Sequence, residues 1–334
     1  MKKFLKGRET LLLIMLIALM IIISIVNPVF WRVDNLMDLL KNAVVLGILS
    51  CGMLLVVLTG GIDVSVGAVT AACSCIIGTI LAQVTDNILL SFIVGIACGA
   101  GMGLGNGLLI SLLKIPPIVA TLGTFNIING LVKFITNGTW ITGIPDSFIQ
   151  FGQTSFFQTQ VEGVKTLVGL PVQVIFLAIV IIITYLILKY TRFGRSVYAL
   201  GGNRESAQRI GYNVTKTLIL LYMYLGALAG VASVVHTSIY RQVDPNSFAG
   251  WDMKVIGATV IGGTSINGGY GSVYGAMLGV FFMTILQNGL TLMRIPTFWQ
   301  QIVTGIVIIV AISSDAYSRY RADKNAVKVD VAEA

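Results

Sequence analysis

Long apolar runs separated by short polar stretches set the rhythm of this chain. A bilayer core of about 30 Å needs about 20 residues of helix to cross it. On that ruler the pattern predicts ten membrane segments: 10–30, 42–60, 64–83, 88–113, 117–135, 170–190, 216–236, 252–266, 272–293 and 298–314. The third and eighth are short or interrupted by glycine. That is the pattern of a broken or re-entrant helix, which is tolerated at membrane depth only where protein or a cavity surrounds it. The fold class expected is therefore an all-α polytopic membrane protein with glycine-broken helices. It divides into a basic N-terminus (1–9), a transmembrane domain (10–314) and a C-terminal tail (315–334). The first run follows "MKKFLKGRET", ends at "NPVFW" and has no A-x-A-like cleavage site, so it reads as a retained first span rather than a signal peptide.

Composition agrees with the pattern. Of 334 residues, 56% are hydrophobic and 11% charged, with a mean hydropathy of +0.89, against about 25% charged in soluble domains. The net charge of +8 does not form a stripe, so nucleic acid is excluded as a partner and lipid is implied. Basic residues instead sit between the runs. With a cytoplasmic N-terminus and alternating spans, most of the 22 Lys and Arg fall inside, including Arg8, Lys114, Lys189, Arg192, Arg195, Arg204, Arg209 and Lys216. An even count of ten also puts both termini in the cytoplasm.

Chemistry is sparse. The four cysteines, Cys51, Cys73, Cys75 and Cys98, lie inside apolar runs, and His236 is the only histidine, so no metal site is expected. There is no G-x-x-x-x-G-K-[ST] loop and no serine–histidine or paired-carboxylate constellation in the spans. No catalytic residue or cofactor is assigned to this chain, and any ATP and Mg would belong to a separate protein.

Glycine carries more information. "CGAGMGLGNG" (98–107) and "GSVYGAMLG" (271–279) repeat small residues at three- and four-residue spacings, the signature of close helix packing in lipid. "NGLLISLLKIPPIVATLGTF" (106–125) and "NGLTLMRIPTFWQQIVTG" (288–305) echo each other across opposite sides of the predicted topology, as an inverted repeat would.

"LTGGIDVSVGAV" (58–69) raises the question of Asp63, one carboxylate amid apolar sequence. Gly60 and Gly61 end one segment, which places Asp63 at the N-cap of the next. A role in the pathway or gate is the alternative, because a charge at membrane depth is costly and usually functional. The loop "TRFGRSVYALGGNRESAQRIGYNVTK" (191–216) contains a short helix with both ends marked: Asn203 as N-cap, Glu205 in the first turn, Arg209 in the last and Gly211 at the close.

"TRFGRSVYALGGNRESAQRIGYNV", "TGGIDVSVGAV", "GNGLLISLLKIPPIVATLGT" and "VIGGTSINGGYGSVYGAMLG" together resemble the ribose-type permease subunits of bacterial ABC importers. That branched-chain amino acid/ribose permease family includes monosaccharide and autoinducer-2 permeases. The likeness spans about residues 35 to 315. It implies a multi-pass subunit of a bacterial inner or plasma membrane, a second permease subunit in a homodimer, a cytoplasmic ABC ATPase and an extracytoplasmic sugar-binding protein. Carried over by position, loop 191–215 would be the coupling loop, with Gly202, Asn203, Glu205, Ala207 and Gly211 receiving the ATPase. Two positions depart from the family pattern. Gln208 replaces a second alanine, and Lys254 replaces the second acid of a pair whose first member, Asp252, is kept.

Uncharged polar residues in the spans suit a neutral polyol, whose hydroxyls pair with amides and hydroxyls. Asn106, Asn126, Thr264, Ser265 and Asn288, with Asp63, are the translocation-pathway candidates; interhelical hydrogen bonding is the other reading of each. The extracytoplasmic loop 137–169 is rich in aromatics, which fits either an interfacial belt or a docking surface. The function implied is an ATP-driven, binding-protein-dependent importer of a small polar solute. An ion-coupled secondary transporter is the rival, with Asp63 its one acidic candidate.

Overall fold

The computed structural model describes residues 7–160, 167–310 and 312–313. Lys2, Lys3, Lys6, Lys165 and the tail 315–334, which belong to the charge pattern and domain division above, lie outside the described residues.

The apolar runs become helices. In chain order they are α1 (Gly7–Val26), a 3₁₀ turn (Pro28–Trp31), α2 (Val33–Leu58), α3 (Val66–Gln83), α4 (Ile88–Ser111) and α5 (Pro117–Thr136). The connection that follows holds α6 (Asp146–Gln153) and an antiparallel pair, β1 (Ser155–Thr159) and β2 (Val168–Pro171). Then come α7 (Gln173–Tyr190), α8 (Arg192–Gly202), α9 (Arg204–Arg209), α10 (Val214–Tyr240), α11 (Trp251–Ile261) and α12 (Val273–Leu292). A last helix, α13, covers Thr297–Val310. Among the described residues eight helices are long and apolar enough to cross a membrane: α1 to α5, α7, α10 and α12.

The two interrupted segments behave as their glycines predict. α3 is an 18-residue helix entered from an irregular break at 59–65. α11 has 11 residues, about 16 Å of rise against a core of about 30 Å. Irregular backbone at 262–272 then carries the chain on to α12, so the eighth predicted segment is a half-length helix plus a glycine-rich link.

Polar residues end the apolar helices. Asn27, Asn87, Asn203 and Asn213 each accept a hydrogen bond from a backbone N–H two or three residues on, and Thr191 and Ser272 do the same. Each such bond satisfies a donor the helix start leaves unpaired, and is worth about 1 kcal/mol. The large apolar side chains of α1, α4, α5 and α7 are mostly exposed, including Ile14, Ile93, Leu122 and Ile182. α2 is the opposite case, with its residues from Ala43 to Leu58 buried. α2 is thus the centre of the bundle, and the outer helices turn their apolar faces to lipid.

The closest helix pair is α4 with α10. At Gly99 a methyl group would collide with the carbonyl of Gly226, and at Gly95 with that of Gly230. Lipid offers no hydrophobic drive between helices, so backbone contact across such glycines provides the attraction.

Side-chain bonds set the direction of the helices. Ser272 Oγ donates to Glu9 Oε1 (2.8 Å) where α1 and α12 begin, and Asn27 Nδ2 donates to the Leu292 carbonyl (3.0 Å) where they end. α2 runs against them: Asn35 near its start pairs with Asn288 near the end of α12. Asn106 near the end of α4 bonds Ser65 in the break after α2, and the end of α2 bonds the link before α12, so the two echoing turns lie toward opposite ends of α12, which is about 30 Å long. Both close in the same way. Lys114 (φ 55) ends α4 and Arg294 (φ 56) follows α12, each left-handed and each followed by Ile-Pro and a new helix.

The connection 137–172 resolves into two parts. Phe148 is fully buried, and Phe151 packs among Phe92, Phe148 and Phe176 at ring separations of 5.9–6.4 Å, anchoring α6 to α4 and α7. Trp140, Phe156 and Phe157 are exposed.

Candidate functional site

Three features share the molecule's functional geometry: the break before α3, the small helix α9, and a polar cavity between α2, α11, α12 and α13.

Asp63 is buried in the break, beside buried Ser65 and Asn106. Its Oδ1 accepts from the Ser65 backbone N–H (2.7 Å) and from Ser65 Oγ (2.6 Å), and Asn106 Nδ2 donates in turn to Ser65 Oγ (2.8 Å). Thr121 Oγ1, on α5, accepts from the Val64 N–H (3.2 Å). The break is thus stitched to α4 and α5. The sequence places Asp63 at the N-cap of α3; regular helix begins at Val66, and Ser65 just before it is already helical (φ −83, ψ −10) and makes no side-chain cap bond, so the capping side chain is that of Asp63, bonded to the Ser65 N–H. Among the described residues the ion pairs are Arg32–Asp34 and Arg209–Glu205, so hydrogen bonds alone hold the Asp63 carboxyl. Asp63→Ala should lower thermal stability by about 1–3 kcal/mol, the cost of leaving buried donors unpaired. Asp63→Asn keeps an acceptor oxygen and should lose less, with transport retained. Melting in detergent and uptake in vesicles check both, and a stable Asp63→Asn protein without transport would return Asp63 to a pathway role.

α9 is anchored by one methyl. Ala207 is 2% exposed, while Glu205 and Arg209, paired at 3.9 Å, are open to solvent and Ile210 is 73% exposed. Asn203 Oδ1 accepts from the Ser206 N–H (2.8 Å) at one end. At the other, Gly211 (φ +93) lets its own N–H reach the Gln208 carbonyl and that of Tyr212 reach Ala207. Such an αL closure is what glycine permits without cost. Of the carried-over set, Glu205 is presented outward on α9, Asn203 and Gly211 flank its two ends and are exposed, Gly202 is the last residue of α8, and Ala207 faces in.

α8 went unread in the sequence. It is amphipathic, with Val197 and Leu200 buried and Arg192 and Arg195 exposed, and its end touches both helix breaks. A methyl group at Gly201 would overlap the Leu58 carbonyl that ends α2 and the Gly269 N–H in the link before α12. That N–H donates to the Leu58 carbonyl (2.9 Å). Tyr198 Oη donates to the Gly271 carbonyl (2.9 Å), and burial pushes its hydroxyl above the usual range, keeping it a donor. Three Gly-Gly pairs, 60–61, 201–202 and 268–269, therefore converge where α2, α8 and the link before α12 meet. Thr264 and Ser265 are buried in that same link, and the Thr264 hydroxyl has no partner among the described residues.

The cavity measures about 670 Å³. Asn42 of α2, Thr284, Gln287, Asn288 and Thr291 of α12, and Gln300, Gln301 and Thr304 of α13 line it. Tyr240 and Trp251 add aromatic walls and Lys254 a cation. Of the six pathway candidates, only Asn288 lies here. Asp63 and Asn106 share the break cluster, and Thr264 and Ser265 the link. Asn126 stands apart on the exposed side of α5, bonded to the Leu122 carbonyl. Asn42, Thr284, Gln301 and Thr304 were not picked out in the sequence, since only the helix rotations bring them to one wall. Among the described residues no three His, Cys, Asp or Glu side chains come together as metal ligands.

A helical bundle crossing the membrane many times, with interrupted helices around a cavity of amides and hydroxyls, defines a transport-type membrane protein. The chain belongs to the family described as branched-chain amino acid transport system / permease component, whose model matches residues 35–312. It is similar to the ribose import permease protein RbsC of Bacillus subtilis (strain 168), at 36% identity over 302 residues and 90% of each chain. The Escherichia coli (strain K12) protein of that name is 33% identical over 91% of this chain and 92% of its own. Similarity extends to the autoinducer 2 import system permease protein LsrC of Photorhabdus laumondii, 31% identical over 96% of this chain and 92% of that protein. No solved structure matches the chain.

Proposed function

We propose that this chain is the membrane subunit of an ATP-driven importer of a monosaccharide or similar small hydroxylated solute. The observation that carries the reading is α9, a capped helix held between two spans by Ala207 and offering Glu205, Arg209 and Ile210 outward. A short rigid helix on a membrane face serves neither lipid packing nor a solute path; it serves a partner. That partner would be a cytoplasmic ABC ATPase, which supplies ATP and Mg, since no nucleotide loop exists on this chain. Force on α9 would pass through α8 to the Gly201 junction and so to both broken helices, opening the cavity alternately to the two sides. The wall of amides and hydroxyls suits neutral hydroxyl groups. Relatives named as import permeases for ribose and autoinducer 2 support the same class of solute. A binding protein delivering solute at the cavity's mouth, a second copy of this chain, a bacterial inner-membrane setting and cytoplasmic termini complete the proposal.

The test is coupling. With the chain, its ATPase and its binding protein in lipid vesicles, Glu205→Arg should cut uptake at least about tenfold, the effect of one lost charge-assisted contact. The chain itself should insert and melt as before, because an exposed i,i+4 pair adds little to stability. Unchanged uptake would remove α9 from the mechanism.

A further inference from the structure

The cavity holds one charge, and no described residue balances it. Lys254 lines the wall, and every other lining residue is uncharged. Asp252, two residues earlier on α11, points elsewhere and accepts from backbone N–H groups at the helix start. No carboxylate among the described residues lies within ion-pair distance of the ammonium, whose recorded contact is the Trp251 ring, 5.6 Å from Nζ to centroid. Thr304, across the cavity on α13, keeps a buried hydroxyl with no partner among the described residues. An ammonium beside an aromatic face, in a wall of amides and hydroxyls that includes the unpartnered Thr304 hydroxyl, is an incomplete set: it lacks an anion that also carries hydroxyls. The surroundings are polar enough to bind such a solute.

We infer that Lys254 tunes this cavity to hydroxylated carboxylates, sugar acids, in preference to neutral sugars. This rests on the cavity being the solute path of the importer proposed above and narrows the solute class. The carboxylate would meet the Lys254 ammonium near Trp251, with the hydroxyls along Gln287, Gln301 and Thr304.

Two compounds of equal carbon number isolate the charge: D-gluconate, and D-glucitol, in which the carboxylate becomes a CH₂OH. Binding to the full chain in lipid nanodiscs is measured by saturation-transfer NMR, with acetate as the probe of charge alone. Gluconate should bind about tenfold more tightly than glucitol and than acetate, the order of one charge-assisted hydrogen bond. Lys254→Gln should bring gluconate to the level of glucitol, and Lys254→Arg should keep the preference. Equal binding of the two polyols, binding of neither, or an unchanged preference in Lys254→Gln each overturns the assignment. The last result would leave the ammonium to a protein docking at this mouth. The importer reading fails separately, by absence of an ATPase from the purified complex, so recovery of the ATPase with no gluconate preference would sink the Lys254 claim alone.

Discussion

Gly201→Ala is expected to abolish most solute uptake while the chain still inserts and still holds its ATPase. The added methyl falls on the Leu58 carbonyl and the Gly269 N–H, both backbone groups that cannot swing aside as a side chain would. Overpacking of this kind costs about 1–3 kcal/mol, and here it would be relieved by separating α8 from the two breaks. That separation cuts the path from α9 to the moving helices. Uptake should fall about ten- to a hundredfold on that cost, with ATP hydrolysis continuing uncoupled. Gly105→Ala, on α4 and away from both the junction and α9, is the control, since a methyl there meets nothing within 4 Å. Equal uptake by the two variants would show that the glycine junction transmits nothing.

The second large effect concerns assembly. Gly99→Leu should prevent recovery of a monodisperse membrane protein, whereas Gly101→Leu, on the same helix, should purify like the parent. At Gly99 even a methyl overlaps the Gly226 carbonyl of α10; at Gly101 it meets nothing within 4 Å. α4 and α10 attract each other only as closely as their backbones approach, so a wedge removes the contact along its length. Size-exclusion profiles and melting in detergent separate the two. Similar behaviour of both variants would mean that α4 and α10 do not depend on that close approach.

These two pairs show what the sequence could and could not tell. Run length and helix-ending residues are local, so the eight long spans, the break before α3, the half-length α11 and the caps at Asn203 and Gly211 were legible, while the tenth expected segment is, over its described residues, a shorter helix, α13. Asp63 was legible as a helix-break residue, because the glycines before it and the bond from its carboxyl to a backbone N–H two residues on are local features. The junction of Gly60, Gly201 and Gly268 was not legible. Each Gly-Gly pair looks like any flexible link, and only tertiary packing makes them one contact. The cavity wall failed for a related reason: Asn42, Thr284 and Gln301 lie on three helices whose facing depends on rotation. Asn126, equally polar in the sequence, ends on an exposed face of α5.

Coupling through α9 is the central claim, and co-purification tests it most directly. The tagged chain, expressed at native level and solubilised in mild detergent, is captured and its companions read by mass spectrometry. A Walker-motif ATPase should be recovered with the parent chain and lost when residues 203–211 are scrambled without change in melting. A clean chain with no ATPase, or equal recovery with the scrambled helix, would contradict the account.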